Sequence, residues 1–338
     1  IEYISNINNS LTYVFSLGAV MLNYLKKRFH GLVLFLALFS CPALAEQISV
    51  THWGVLLYGA PYAVAMERGY FRQAGIDISG IFSSKGGGTT VRNMILGGLP
   101  FGEVSLAAAI AAEREGLDIR IVCGGVQNLS DLVWVTLPDS PLKTIADLKG
   151  KKLGYTTPKS VTDIVTTLML DHQKIAGVER VAVGSVGAQM TALQQKAIDA
   201  AYLGEPVYSQ NKLKFRVLFY ARDMLAQNNL TQTVGVTTSE FAKANPKKIK
   251  AIIEGRRRGV EFIYQNPKEA ALIVAKMYSF DPIIMEEAMV SMAKSKYWSA
   301  GELDLAGMNA MAEGLQLTGA IDAPPNWNKL IDPSFLKK

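Results

Sequence analysis

Residues 61–78, PYAVAMERGYFRQAGIDI, place two helix stops and an aromatic pair between a helix start and a strand, and few folds accommodate that order. Pro61 suits a first helical turn, where its missing N–H is no loss, and Tyr62, Val64, Ala65 and Met66 supply apolar surface. Gly69 is placed to end the helix in a left-handed conformation. Tyr70 and Phe71 anchor a second short turn that stops at Gly75, and Ile76-Asp77-Ile78 alternates as a half-buried strand does. The segment reads as β-turn-α-turn-β.

The same alternation of short apolar strands with amphipathic segments continues along the chain, which predicts α/β architecture with mainly parallel sheets flanked by helices. Strands are expected near 48–53, 76–82, 101–105 and 119–124, then 133–137, 152–155, 181–186, 200–203, 215–220 and 233–238, with a helix over 161–175. The run at 133–137 crosses into a second lobe and the one at 233–238 returns. Two crossings make the first lobe discontinuous, 46–132 with 238–338, and the second continuous, 133–237. From Ser239 onward a helix-rich run carries stops at Asn245-Pro246, Asn266-Pro267 and Asp281-Pro282 and is expected to buttress the first lobe.

The front of the chain has a different logic. Lys26-Lys27-Arg28 is a basic patch, 31–40 is an apolar run, and Ala43-Leu44-Ala45 is a small-x-small cleavage site, together the pattern of a secretory signal peptide cut after Ala45. The apolar run is shorter than the about 20 residues needed to span a bilayer. Met21 stands just before the basic patch and is the expected start, leaving 1–20 as an upstream extension. Cys41 invites a lipoprotein reading, but Leu38-Phe39-Ser40 puts a bulky Phe where such boxes take a small residue.

Removing the leader takes away Lys26, Lys27, Arg28 and Glu2 and lowers the formal charge from +6 to +4. No stripe of Lys and Arg with interleaved aromatics marks a nucleic-acid surface, so the mild charge reads as solubility. Arg256-Arg257-Arg258 reads as a solvated helix face. Only Cys123 remains of two cysteines, which rules out an intramolecular disulfide, and its apolar setting reads as a buried strand end. His52 and His172 form no metal motif, no nucleophile elbow is present, and His172 is expected on a helix surface. Nothing calls for a cofactor or a metal.

Residues 61–78, together with 104–107, 140–155 (SPLKTIADLKGKKLGY) and 192–206 (ALQQKAIDAAYLGEP), resemble the periplasmic solute-binding proteins of nitrate, sulfonate and taurine ABC importers, which have the periplasmic binding protein type II-like fold. Relatives in that superfamily bind thiamine-pyrimidine precursors. A fungal pyrimidine-synthase branch shares the fold, but its cysteine-rich motif is absent here. The resemblance implies a non-enzymatic periplasmic protein, a monomer, that captures a small organic solute between its lobes and presents it to an importer permease. A sensor domain signalling to a separate receptor is a third class compatible with this sequence.

Ligands of open α/β sheets lie outside the carboxyl ends of the strands, and four places stand there. The loop 83–90, SSKGGGTT, opens a helix whose bare N–H groups favour an anion or carbonyl oxygen, with Gly87, Gly88 and Thr89 nearest and Lys85 and Arg92 flanking; no Lys-Ser/Thr pair follows at Walker A spacing. In 156–162, Ser160 or Thr162 caps the facing helix, beside Val161. Glu205 in 202–206 and Asp131 with Asn128 in 128–131 are candidate acceptors of ligand donors, while Trp53 and Tyr58 could stack on the ligand. The resemblance adds Glu103 and Gly187 at further strand ends. An organic ligand with a polar or mildly anionic end fits these residues better than a bare inorganic anion.

Overall fold

The computed structural model describes residues 46–225 and 229–336. The expected start at Met21, the signal peptide, Cys41 and cleavage after Ala45 lie outside the described residues.

Five strands, β1 (Glu46–Thr51), β2 (Ile78–Ser84), β3 (Gly102–Ser105), β4 (Arg120–Gly124) and β10 (Thr233–Thr237), form one sheet in the order β2-β1-β3-β10-β4. β1 runs parallel to β2 and β3, whereas β10 is antiparallel to both β3 and β4. The second sheet repeats the plan. β5 (Leu132–Thr136) lies antiparallel between β8 (Ala201–Gly204) and β9 (Arg216–Tyr220), and β6 (Lys152–Tyr155) pairs parallel with β7 (Glu179–Ala182). A parallel bridge from Leu153 to Ala200 joins the two parts, giving β7-β6-β8-β5-β9. Each sheet thus takes its antiparallel member from the strand that follows a crossing between sheets.

Helices α1 (Ala60–Glu67), α2 (Tyr70–Ala74), α3 (Gly87–Leu96) and α4 (Leu106–Arg114) connect the first sheet, and α5 (Val161–His172), α6 (Val186–Gln194) and α7 (Val207–Asn211) the second. Gly69 and Gly75 adopt φ +68° and +97°, the left-handed stops expected at those two positions. Residues 60–65 are all buried, so α1 is covered on every side; α9 (Pro246–Gln265) and α10 (Pro267–Tyr278) pack on it. Ile76 and Ile78 are buried around a half-buried Asp77, although the ladder begins only at Ile78. The expected strand over 181–186 stops at Ala182 instead. Gly184 at φ +96° turns the chain and Ser185 caps α6 by accepting from Ala188 N–H, which draws Val186 into the helix.

Proline sets the C-terminal helices as expected: α9, α10 and α11 (Pro282–Lys294) each begin on it, preceded by α8 (Ser239–Ala244) and followed by α12 (Leu305–Leu317) and α13 (Trp327–Leu330). These helices reach further than the first sheet. α12 packs on both α4 and α5, and Lys212, just past α7, pairs with Glu287 of α11 at 2.6 Å. Arg256 corrects the reading of its triplet as a solvated face. Three successive helical residues point about 100° apart, and Arg256 points inward, 1% exposed, with its Nε donating to Glu103 Oε2 at 2.9 Å. Arg257 pairs with Glu254 and Glu261, and Arg258 lies over the Tyr70 ring. His172 is exposed at the end of α5 and Cys123 is buried in β4, both as expected. Among the described residues, no helix is long and apolar enough to cross a membrane.

Candidate ligand-binding cleft

The glycine loop is shaped by what lies beneath it. A Cβ at Gly87 would collide with Ser105 Oγ and stand 2.7 Å from Ala108 Cβ and 3.0 Å from Ser105 N, so only glycine lets the first turn of α3 rest on the start of α4. Gly88 faces open space. A buried hydroxyl chain anchors the loop: Thr51 Oγ1 and Thr90 Oγ1 share a hydrogen bond of 2.6 Å, Ser84 Oγ bonds the same Thr90 oxygen, and Thr51 donates to Glu103 O at 3.0 Å. Gly86 O accepts from Thr89 and Thr90 N–H, which leaves the N–H groups of Gly87 and Gly88 without an intrahelical partner. Ser105 caps α4 by accepting from Ala108 N–H at 3.2 Å.

Across from this loop, Ser160 caps α5, accepting from Asp163 N–H at 3.2 Å. Thr162 is buried behind it and accepts from Thr156 N–H at 2.9 Å, while Thr156 Oγ1 donates to Ser160 Oγ at 2.8 Å. Lys159 N–H donates to Asp163 Oδ2 at 2.8 Å. The turn from Thr157 to Ser160 and the loop from Lys85 to Thr89 line the two sides of one cavity of about 680 Å³, with Ser105 and Ala108 between them. Lys85, Arg92 and Lys159 outnumber the one carboxylate on its wall, Glu115, and Leu96 and Leu117 continue it outward as exposed apolar surface. Two helix N-termini and three cations facing one space favour a partial or full negative charge. A second cavity, of about 600 Å³ beside Ile253, Leu303, Trp327 and Phe335, contains none of the expected site residues.

Of those residues, Gly87, Gly88, Thr89 and Ser160 line the cleft, and Val161 is buried directly behind its wall. Gly187 is exposed in the first turn of α6. Trp53 is half-buried and meets the Tyr278 ring edge-on at 5.0 Å, a packing role. Glu103 belongs to the core: it is 0% exposed, Oε1 accepts from Thr233 at 2.7 Å, and Oε2 accepts from Tyr62 at 2.7 Å and from Arg256. Glu205 is turned toward its own loop, with Oε1 accepting from Ser209 Oγ and Oε2 from Ser209 N–H; burial pushes its carboxyl above the usual carboxylate range.

Tyr58, Asn128 and Asp131 converge instead on Gln232, which the sequence reading did not single out. Tyr58 Oη donates to Gln232 Oε1 at 2.9 Å, and Gln232 Nε2 donates to Asn128 O at 2.6 Å and Asp131 Oδ1 at 2.7 Å. The available signal was positional. Asp131 immediately precedes β5 and Gln232 immediately precedes β10, the two antiparallel strands, so the fold's internal repetition brings them together. The Asn128 side chain is spent on structure, its Nδ2 donating to Ser295 O at 2.9 Å and Lys296 O at 3.2 Å.

The profile of the NMT1/THI5-like family matches residues 57–270. A protein of Brucella abortus (strain 2308), named as a candidate binding protein, is 25% identical over 273 residues, covering 77% of this chain and 81% of its own. Among solved structures, the periplasmic aliphatic sulphonate binding protein SsuA from Escherichia coli superposes with a TM-score of 0.69 at 17% identity, covering 86% of this chain and 98% of that one. The periplasmic nitrate-binding protein NrtA from Synechocystis PCC 6803 does so with a TM-score of 0.65 at 14% identity, covering 87% of each chain. The fold is that of the periplasmic binding proteins, and the chain belongs to the NMT1/THI5-like family.

Proposed function

We propose that this protein is a periplasmic solute-binding protein that captures a small organic solute in the cleft between two lobes, 46–132 with 238–338 and 133–237, and delivers it to an ABC importer. The observation that carries the reading is the pairing of two helix starts, the glycine start of α3 at Gly87 and the Ser160-capped start of α5, across one cavity of about 680 Å³. Each start belongs to a different sheet system, so a ligand held there bridges both lobes and favours their closed arrangement. The names of the structural neighbours, one a sulphonate and one a nitrate binder, support an oxyanion-bearing ligand.

Binding without turnover is the better reading of the titratable groups. Burial depresses the His52 imidazole to about 4, which keeps it neutral, and His172 lies on another element and is exposed. Burial pushes the Cys123 thiol up to about 12, far from a reactive thiolate. Among the described residues, no group of three His, Cys, Asp or Glu is placed to hold a metal ion.

A thermal-shift screen against alkanesulfonates, nitrate, aromatic carboxylates and aminopyrimidines tests the proposal. A true ligand at 100 times its dissociation constant adds about 2.7 kcal/mol to stability, a readily measured rise in melting temperature. A panel with no stabilising compound, or a hit that the protein converts to product, overturns the reading.

A further inference from the structure

Glu103 carries a buried charge two residues before the cleft-lining Ser105, yet it does not itself line the cavity. An ion pair out of water is often no more stabilising than apolar residues of similar volume, so what it holds in place is more informative than its energy. Glu103 Oε1 accepts from Thr233 Oγ1 at 2.7 Å, and the same hydroxyl accepts from Val126 N–H at 2.7 Å. Oε2 accepts from Arg256 Nε at 2.9 Å, and Arg256 Nη1 donates onward to Ser299 O at 2.7 Å. Ser299 N–H in turn donates to Gly125 O at 2.8 Å. One carboxylate therefore reaches Gly125-Val126 by two routes, and all these residues are buried.

Gly125 and Val126 follow β4 and begin the chain's first passage from one sheet to the other, and Thr233 opens β10, where the chain has returned. The two passages lie side by side: Gly125 N–H donates to Thr233 O at 3.0 Å and Gln232 N–H to Val126 O at 2.8 Å. On the other flank, Gln127 N–H donates to Tyr297 O and Gly124 N–H to Gly301 O, both at 3.0 Å, and Val126 bridges Trp298. The approach is close on both sides. A Cβ at Gly125 would collide with Thr233 Oγ1 and stand 2.7 Å from Thr233 O, and one at Gly124 would stand 2.7 Å from Ser299 Oγ.

We infer that Glu103, Thr233 and Arg256 are positioning residues that clasp both passages to the first lobe and so set the pivot on which the lobes close. The inference rests on the two-lobe reading and deepens it, placing control of the motion at residues outside the cleft. With Gly125, Val126 and Thr233 held to β3 and α9, rotation is left to the backbone beyond them, and the free protein samples a narrow range of openings. A ligand that bridges α3 and α5 binds the fraction of molecules near the closed arrangement, and a narrow range keeps that fraction large. The charges serve this geometry. An ionised carboxylate strengthens the bond from the Thr233 hydroxyl, and the planar guanidinium holds Glu103 and Ser299 O in fixed directions at once, which a single ammonium does not reproduce.

Paired spin labels on the intact protein measure the opening directly. Lys243→Cys in the first lobe and Ala176→Cys in the second put both labels at exposed positions outside the cleft, and the buried Cys123 stays unlabelled. With no solute added, the distance distribution is expected to be narrow in this labelled parent. It should broaden toward longer distances in Thr233→Val, which keeps the side-chain shape and removes the shared hydroxyl, and Thr233→Ser should restore the parent width. Thr237→Val is the matched control, because Thr237 is buried on the same strand and donates to Pro100 O at 2.7 Å, away from both passages. Both Val variants should melt below the parent, since each leaves a buried polar group unpaired, but only Thr233→Val should broaden the distances. Arg256→Lys keeps the charge and breaks the fork, so it should broaden them too and tests the clasp even if Thr233→Val does not fold. Parent-like widths in both Thr233→Val and Arg256→Lys, or equal broadening in Thr237→Val, overturn the pivot and leave solute binding intact. A solute panel with no binder overturns the solute-binding reading alone, because the label distances are read without a solute.

Discussion

Gly87 and Gly88 are neighbours of identical chemistry in one loop, yet their surroundings differ completely. Gly87→Val must push its side chain into Ser105 and Ala108, whereas Gly88→Val points into open space at a helical position. Overpacking of this kind costs about 1–3 kcal/mol. Denaturant melts should therefore show Gly87→Val destabilised by that amount and Gly88→Val nearly unchanged, and a titration with a ligand from the screen should show the larger loss of affinity in Gly87→Val. Equal behaviour of the two variants would mean that α3 can move off α4 freely. The same dependence on surroundings governs Arg256, Glu103 and Glu205. Each was recognisable in sequence as a charged side chain near a turn or helix. That Glu103 closes a buried ion pair depends on Tyr62 and Arg256, 41 and 153 positions away, whereas Glu205 is held by Ser209 four positions on.

At the scale of elements, starts and stops were the most legible features because they rest on local backbone chemistry. Ser160, Pro246, Pro267, Pro282, Gly69 and Gly75 all act where the sequence put them. Helix partners were not legible. Gly314 lies inside α12, and a Cβ there would collide with Ile164 Cγ2 and stand 2.9 Å from Leu168 Cδ1 of α5. Glycine in a helix interior is normally about 0.5–1 kcal/mol worse than alanine, so Gly314→Ala on a free surface would stabilise the protein. Here the steric cost of about 1–3 kcal/mol is the larger effect, and a net loss of stability is expected. Because α5 carries Ser160 at the cleft, ligand affinity should fall as well. A gain in melting temperature would show that α12 and α5 separate without cost.

For the whole molecule, a ligand bridging α3 and α5 should draw the two sheet systems together. Small-angle scattering should then give a smaller radius of gyration with saturating ligand than without it. An unchanged profile with a ligand of verified affinity would count against closure. Such a closure would meet a constraint: α12 packs on α4 and α5 together, so a relative movement of these helices would be felt at the contact of Gly314 with Ile164 and Leu168.

The amino-acid sequence alone determined the alternation of strands and helices, the two crossings, and the glycine loop and serine cap that open the facing helices. These follow from hydrophobic period, proline and glycine stereochemistry and hydrogen-bond capping, all of which act over a few residues. Only the tertiary structure decided that Asp131 and Gln232 meet, that Glu103 is consumed by Arg256, and that the C-terminal helices pack on helices of the second sheet as well as the first. Those outcomes depend on which surfaces are buried against each other, and a buried polar group takes whichever partner the fold brings within hydrogen-bonding distance.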